Sequence, residues 1–256
     1  MPPVVALIIC IIFVFLLLGI ERKQYPSASF ALWIPTIYLL LTFSKPLGIW
    51  FSTGGGSMEE GSVLDRTVLS VLLLIGLVII FKRGINWAAA CKQNIWLIAL
   101  IGYMLLSILW SDMAYVSFKR WMREIVAVVM AMVVATELEP RGALQSLFTR
   151  TIYVLIPLSY ILIHYFPEYG RQYGRWSGSL MWIGVALQKN GLALLCLFSI
   201  FFLTWTLMRR LKRRDVAVAP YQTPAEFMLL FLSLWQFMGP NHTLTYSATS
   251  LVALSV

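Results

Sequence analysis

The chain has 256 residues, of which 60% are hydrophobic and 12% charged, with a net charge of +9 and a mean hydropathy of +0.81. A soluble domain of this length would carry about twice that charged fraction, so the composition excludes an ordinary soluble enzyme and points to an integral membrane protein. In such a protein the surplus of Lys and Arg marks the cytoplasmic side and its anionic lipid, so the basic balance is no argument for nucleic acid.

Apolar segments follow one another along the chain. They are Val4–Ile20, Phe30–Phe43, Leu64–Phe81, Ile95–Trp110, Ile125–Ala135, Ile152–Phe166, Gly191–Met208 and Phe227–Met238, with a last one beginning near Ser247. The second, fifth and eighth are short for a hydrocarbon core of ~30 Å and borrow flanking residues. Phe118 to Glu124 extends the fifth. In lipid the backbone must satisfy its own hydrogen bonds, so continuous apolar runs are helices. A barrel would need short alternating strands instead. The expectation is an all-α, polytopic transmembrane helical bundle of about 8–9 spans, one integral membrane domain over residues 1–256. The first segment lacks a basic n-region and a nearby small-residue cleavage site, so it reads as a transmembrane helix rather than a signal peptide. Pro35 and Pro157 fall inside spans, where neighbouring helices tolerate them. The GGGS run near Gly54 is a short loop.

Cys10, Cys91 and Cys196 sit in or beside apolar runs with no CxxC pair, and read as small core hydrophobes. His164 and His242 are far apart. Nothing here has the spacing of a metal site, and no cofactor is expected.

The run RRLKRR (Arg209, Arg210, Lys212, Arg213, Arg214) follows a span and should face the cytoplasm. Counting back through alternating spans puts 12 basic residues in the inner loops, Arg141 and Arg150 before the sixth span among them, and 8 in the outer ones, with the N-terminus outside. Six of those eight lie in two stretches. One is WSDMAYVSFKRWMRE, with Lys119, Arg120 and Arg123; the other is GRQYGRWSGSLMWIGVALQKNG, with Arg171, Arg175 and Lys189. Basic residues on the translocated side run against the insertion preference. Interfacial snorkelling and an aromatic belt account for any one of them. Two clusters on one side favour an anionic ligand. Asp112 and Glu124 flank the first cluster and are candidate partners for its cations.

Three segments resemble the O-antigen ligase and polymerase superfamily, which includes exopolysaccharide polymerisation proteins. EEGSVLDRTVLSVLLLIGLVIIFKR resembles its EGSPLDR loop leading into a span that ends in basic residues. LWSDMAYVSFKR resembles its WS motif followed by a Lys/Arg pair, and GRWSGSLMWIGVALQKNGLALL its R-x-x-G … KN motif. The likeness keeps this order over roughly Gly48 to the end.

The resemblance implies a polytopic helical enzyme of the bacterial inner (cytoplasmic) membrane. Such enzymes move a glycan from an undecaprenyl-pyrophosphate donor to a lipid A core sugar or a growing polysaccharide, at the outer face and without a metal. The partners implied are that lipid-linked glycan and membrane lipid. Carried over position by position, Arg175 matches the family arginine, Gly178 its glycine, and Lys189 and Asn190 its KN pair. Trp110, Ser111, Lys119 and Arg120 match the earlier motif. Arginine forks suit phosphate oxygens, so Arg175 is assigned to the pyrophosphate with Lys119, Arg120 or Lys189 assisting, and Arg171 in the same cluster. Asn190 either orients a sugar hydroxyl or caps the following helix. Gly178 permits a turn.

The pattern also departs from the family. SLMWIGVAL is an extra apolar stretch between the arginine and the KN pair, readable as a partly buried re-entrant piece. Ala248 stands where a basic residue is expected. The family continues with a large outer loop that carries a catalytic histidine in ligases, whereas this chain ends at Val256 within an apolar run. The expectation is a partial reading frame, with the catalytic base unassigned. A loop histidine such as His242 without a carboxylate partner is more often inert, and His164 reads as interfacial. A polysaccharide-related transporter or flippase, and an inactive truncated subunit, remain the alternative functions. Charges confined to span ends and the lack of an inverted repeat disfavour the transporter.

Overall fold

The computed structural model describes residues 2–51, 62–85, 87–174, 178–212 and 222–240. In chain order the elements are α1 (Pro3–Gln24), α2 (Trp33–Phe43), α3 (Leu47–Trp50), α4 (Val63–Lys82), α5 (Trp87–Gln93), α6 (Ile95–Leu106), α7 (Ala114–Ala135), α8 (Pro140–Tyr165), α9 (Pro167–Gly170), β1 (Arg171–Tyr173), β2 (Leu180–Trp182), α10 (Lys189–Lys212) and α11 (Gln222–Met238). Short 3-10 turns at Phe30–Leu32 and Ser107–Trp110 lead into α2 and out of α6. The protein is a helical membrane protein. Four helices, α1, α4, α8 and α10, are long and apolar enough to cross a bilayer.

Each of the first eight apolar segments falls on a helix. The segment from Ser247, with Ala248 and His242, lies outside the described residues. The helices of the second and fourth segments are short, and α11 has 17 residues. The fifth segment is the C-terminal half of α7, whose 22 residues begin at Ala114 and take in the WSDMAYVSFKRWMRE cations. Pro157 is accommodated inside α8.

The stretch after Gly170 departs from the all-α expectation. Arg171–Tyr173 and Leu180–Trp182 pair antiparallel, with Arg171 opposite Trp182 and Tyr173 opposite Leu180. SLMWIGVAL therefore supplies a strand, followed by buried Ile183, Val185 and Ala186, and no helical span. Closely spaced glycines interrupt helix propagation here, and an aromatic-rich pair of short strands satisfies the backbone instead.

The residues form two compact units, one within Met1–Pro26, Leu39–Lys45 and Gln145–Val256, the other within Ser27–Tyr38 and Pro46–Leu144. In the first, α8, α10 and α11 share a core that includes Tyr153, Ile156, Leu195, Cys196, Leu203 and Leu229. At one end of this unit lies a buried polar layer. Arg150 Nε donates to Glu21 at 3.0 Å, and Ser146 donates to the same carboxylate. Arg210 Nη1 donates to Glu226 at 2.6 Å, and Gln222 Nε2 donates to Glu226 at 3.1 Å. The layer gathers the C-terminal ends of α1 and α10 with the N-terminal parts of α8 and α11, the ends that the basic-residue count assigns to one side. Because α8 begins at Pro140, Arg150 lies well inside a helix, not in the loop position its sequence suggested. At the other end, Lys45 donates through its backbone N–H to Val185 O at 2.8 Å and through Nζ to Tyr169 O.

The second unit is organised by α4 and α7. Gly76 of α4 packs against Val129 and Met130, and Arg83 beyond its end reaches Val133 O and Thr136 Oγ1, both at 2.7 Å, and Glu137. The contacts keep a constant offset along both chains, so the two helices run parallel. Their C-terminal ends are fastened by the Arg83–Glu137 ion pair, which Ser29 joins by donating to Glu137 at 2.6 Å.

Candidate functional site

The N-terminal end of α4 is built by a capping arrangement. Ser62 is the N-cap, and its hydroxyl accepts from Asp65 N at 3.1 Å. The same hydroxyl donates to Asp65 Oδ2 at 2.6 Å. Asp65 Oδ1 accepts from Leu47 N at 2.8 Å, which ties α3 to α4. A carboxylate in the first turn also complements the helix dipole. Gly48 lies against Ser62 so closely that a β-carbon on it would stand 2.5 Å from Ser62 Cβ. The loop, the cap and the carboxylate fix the first turn and with it Arg66.

The N-terminal end of α7 is set by the WS motif. Ser111 and Ser117 share a hydrogen bond of 2.7 Å between their hydroxyls, and Ser111 Oγ accepts from Met113 N at 3.3 Å. Trp110 ends the preceding 3-10 turn, tilted against Tyr103 with ring centroids 6.3 Å apart. Trp121 Nε1 donates to Ile101 O at 3.1 Å and fixes α7 against α6. Lys119 and Arg123 are one helical turn apart and Arg120 lies beside them. Lys119 Nζ sits 4.4 Å from the centroid of the Tyr115 ring.

On the N-terminal side of Gly76, α4 and α7 leave between them a cleft of about 460 Å³. Arg66, Lys119, Arg120 and Arg123 line it with Asp65 as the carboxylate, and Leu69, Leu73, Met122 and Val126 supply apolar wall. The ion pairs Arg83–Glu137, Arg150–Glu21 and Arg210–Glu226 involve none of Lys119, Arg120 and Arg123. Neither Asp112 nor Glu124 pairs with them. Lys119, Arg120 and Arg123 beside the N-terminal ends of α4 and α7 make this side of the cleft electropositive. Such a site suits an anion with several charged oxygens, because guanidinium forks and an ammonium contact them from different directions.

The structure thus brings Lys119 and Arg120 together and adds Arg66 and Arg123, which the motif assignment had not placed in the site. The signals were present: Arg66 ends the LDR of the first motif, and Arg123 is four residues after Lys119. The remaining candidates belong to the other unit. Arg171 Nε donates to Ile163 O at 2.7 Å and so closes the end of α8. Lys189 opens α10 and Asn190 follows in its first turn, while Gln188 O accepts from Leu192 N at 3.2 Å. A cation in that first turn opposes the helix dipole. Gly178 has φ of +61° with open space around a hypothetical β-carbon, so its backbone conformation alone asks for glycine. Arg175 lies outside the described residues. His164 packs in an aromatic cluster, 4.7 Å from Tyr160 and 5.2 Å from Trp235 between ring centroids.

Comparison of the chain with protein-family models, with curated proteins and with solved structures gives no match.

Proposed function

We propose that the chain is a glycan-transfer protein of the O-antigen ligase and polymerase type, acting at the outer face of the bacterial inner membrane. Its donor is a glycan on undecaprenyl pyrophosphate, and its acceptor is a lipid A core sugar or a growing polysaccharide. In this reading the chain forms about 8–9 spans with its N-terminus outside, and α2, α6, α7 and α11 cross the bilayer with flanking residues. The observation that carries the proposal is the electropositive cleft of Arg66, Lys119, Arg120 and Arg123 between α4 and α7.

The chemistry asks for such a cleft. An acceptor hydroxyl attacks the anomeric carbon, the bond from that carbon to the pyrophosphate oxygen breaks, and the pyrophosphate leaves with added negative charge. Cations preset around those oxygens favour the transition state over the ground state. Lys119 and Arg120 hold the pyrophosphate with Arg66 and Arg123, while Arg175, Arg171 and Lys189 are the second cationic group and Asn190 a contact to a sugar hydroxyl. The hydroxyl proton leaves to a base that these residues do not include.

The test is transfer in nanodiscs from an undecaprenyl-pyrophosphate glycan to its acceptor. Lys119→Gln and Arg120→Gln should each lower the rate roughly 10–100-fold, the worth of one charge-assisted hydrogen bond, with protein abundance unchanged. Unaltered transfer in both variants overturns the assignment.

A further inference from the structure

The helix α11 turns its polar side inward. Its buried residues Gln222, Glu226, Leu229, Ser233 and Gln236 follow one another at intervals of four and three, one stripe of a helix, and all but Leu229 are polar. On the other side of the helix Phe227, Phe231 and Leu234 are exposed. The stripe begins in the layer of Glu21, Arg150, Arg210 and Glu226. These four charges are matched one to one, Arg150 with Glu21 and Arg210 with Glu226, and leave no net charge for an ion. The hydrogen bonds of the layer are less complete. Gln222 donates through Nε2 to Gln24 Oε1 and Glu226 Oε1, but its own Oε1 has no partner among the described residues. Arg210 reaches Glu226 through Nη1, and its Nη2 has none either. The Tyr153 hydroxyl is a third such group. Helix side chains lean toward the N-terminus, so Tyr153 of α8 leans toward this layer, and Glu226, Arg210 and Glu21 are charges that act on its hydroxyl. Gln222 and Tyr153 are fully buried, and the Arg210 side chain is 9% exposed.

We infer that this layer binds internal water, bridging Arg210 Nη2, the Tyr153 hydroxyl and Gln222 Oε1. The three groups amount to one cationic donor, one amide acceptor and one hydroxyl that does either. An anion would meet the Gln222 oxygen and Glu226 as repulsion, and a cation would meet Arg210. Water both donates and accepts, and a buried water makes about three hydrogen bonds, which these groups supply. Sealed from solvent, the water belongs to the fold. It joins α8, α10 and α11 in the polar layer and completes the shell in which the Arg210–Glu226 pair stays charged while buried. Gln236 is ten residues beyond Glu226 on α11, about 15 Å at the helical rise, with buried Leu229 between them, and takes no part.

The experiment is X-ray hydroxyl-radical footprinting of the full chain in nanodiscs, read by mass spectrometry. The radicals form from water, so a buried side chain is oxidised where water stands beside it. Tyr153 should be oxidised, more slowly than exposed Tyr173, while buried Met130 stays unmodified. An unmodified Tyr153 overturns the inference. Oxidation as fast as that of Tyr173 puts the ring in bulk solvent and overturns it too. Thermal unfolding gives a second readout. Were the hydroxyl dry, Tyr153→Phe would remove a group with no partner and leave the midpoint unchanged or higher. Bridged by water, the hydroxyl is worth a hydrogen bond, and Tyr153→Phe should lower the midpoint by about 2–4 °C. Gln222→Met, of similar volume, takes an acceptor from the same water, so the two losses should fall short of additive in the double variant. A Tyr153→Phe midpoint at or above that of the parent, or strictly additive losses, overturns the inference.

Discussion

Gly76 of α4 meets Val129 of α7 with no room for a side chain, since a β-carbon on it would stand 2.9 Å from Val129 Cγ1 and 3.1 Å from Met130 Cε. The cleft lies on the N-terminal side of this contact. Gly76→Val should therefore force the helices apart where they are fastened. Overpacking of this kind costs about 1–3 kcal/mol. Thermal unfolding in detergent should show a lower midpoint, and inorganic pyrophosphate binding should weaken because the cations no longer converge. A variant as stable as the parent would mean that α4 and α7 do not pack through this residue.

Asp65 faces the cleft, yet both its oxygens accept hydrogen bonds, from Leu47 N and from Ser62 Oγ. Those bonds hold the first turn of α4 in place, while its charge opposes an anion in the cleft. Asp65→Ala removes the tie between α3 and α4 and half of the cap, at a cost of about 1–2 kcal/mol. Asp65→Asn keeps an oxygen for Leu47 N and should restore most of the stability. If Asp65 acted only through its charge, Asp65→Asn and Asp65→Ala would instead bind pyrophosphate equally well. Comparing pyrophosphate affinity across the pair separates the two roles.

Much of this architecture was legible in the chain. The apolar runs mark helices because a continuous hydrophobic sequence has no other stable form in lipid, and the first eight fall on helices. The cationic cluster at Lys119 and Arg120 was also readable, as three cations within five residues beside an apolar run. What eluded the sequence was pairing. Nothing local in α7 says that its neighbour is α4, 53 residues earlier at Gly76 and Val129, so the site lacked Arg66 until the helices were seen side by side. Arg150 was hidden for the opposite reason. It looked like a loop residue beside a span, but its helix starts ten residues earlier and its partner, Glu21, is on α1. The β1–β2 hairpin was masked by its apolar content, which imitates a membrane segment too short to cross.

The Glu21–Arg150 pair makes a strong stability prediction. Both side chains are nearly sealed from solvent, at 2% and 5% exposure. Arg150→Met leaves a carboxylate buried against Ser146 alone and should cost about 3–5 kcal/mol. Replacing both partners, Glu21→Leu with Arg150→Met, removes the stranded charge and should recover most of that loss. A double-mutant cycle by thermal unfolding measures the coupling, which should change little with salt because the pair is shielded from it. Additive losses would mean that the two residues do not interact.

Lys45 links proton binding to the stability of its own unit. It follows α2, is 4% exposed, and donates to Tyr169 O while its backbone N–H holds Val185 O. Burial disfavours the ammonium and pushes the amine down to about 8 from an ordinary 10.5. The unfolded chain retains the ordinary value, so between pH 8 and 10.5 it binds more protons than the folded chain does. Stability contributed by this residue must then rise with pH through that window, and it is lost as pH falls through 8. Lys45→Gln removes the titrating group and keeps a donor for Tyr169 O. The midpoint of the parent protein should gain on that of Lys45→Gln between pH 7.5 and 10, in a protein whose other amines are common to both. Competitive acetylation followed by mass spectrometry should show half-maximal reactivity of the Lys45 amine near pH 8. Reactivity still rising past pH 10, with a midpoint difference independent of pH, would place the amine in water and dissolve its contact with Tyr169.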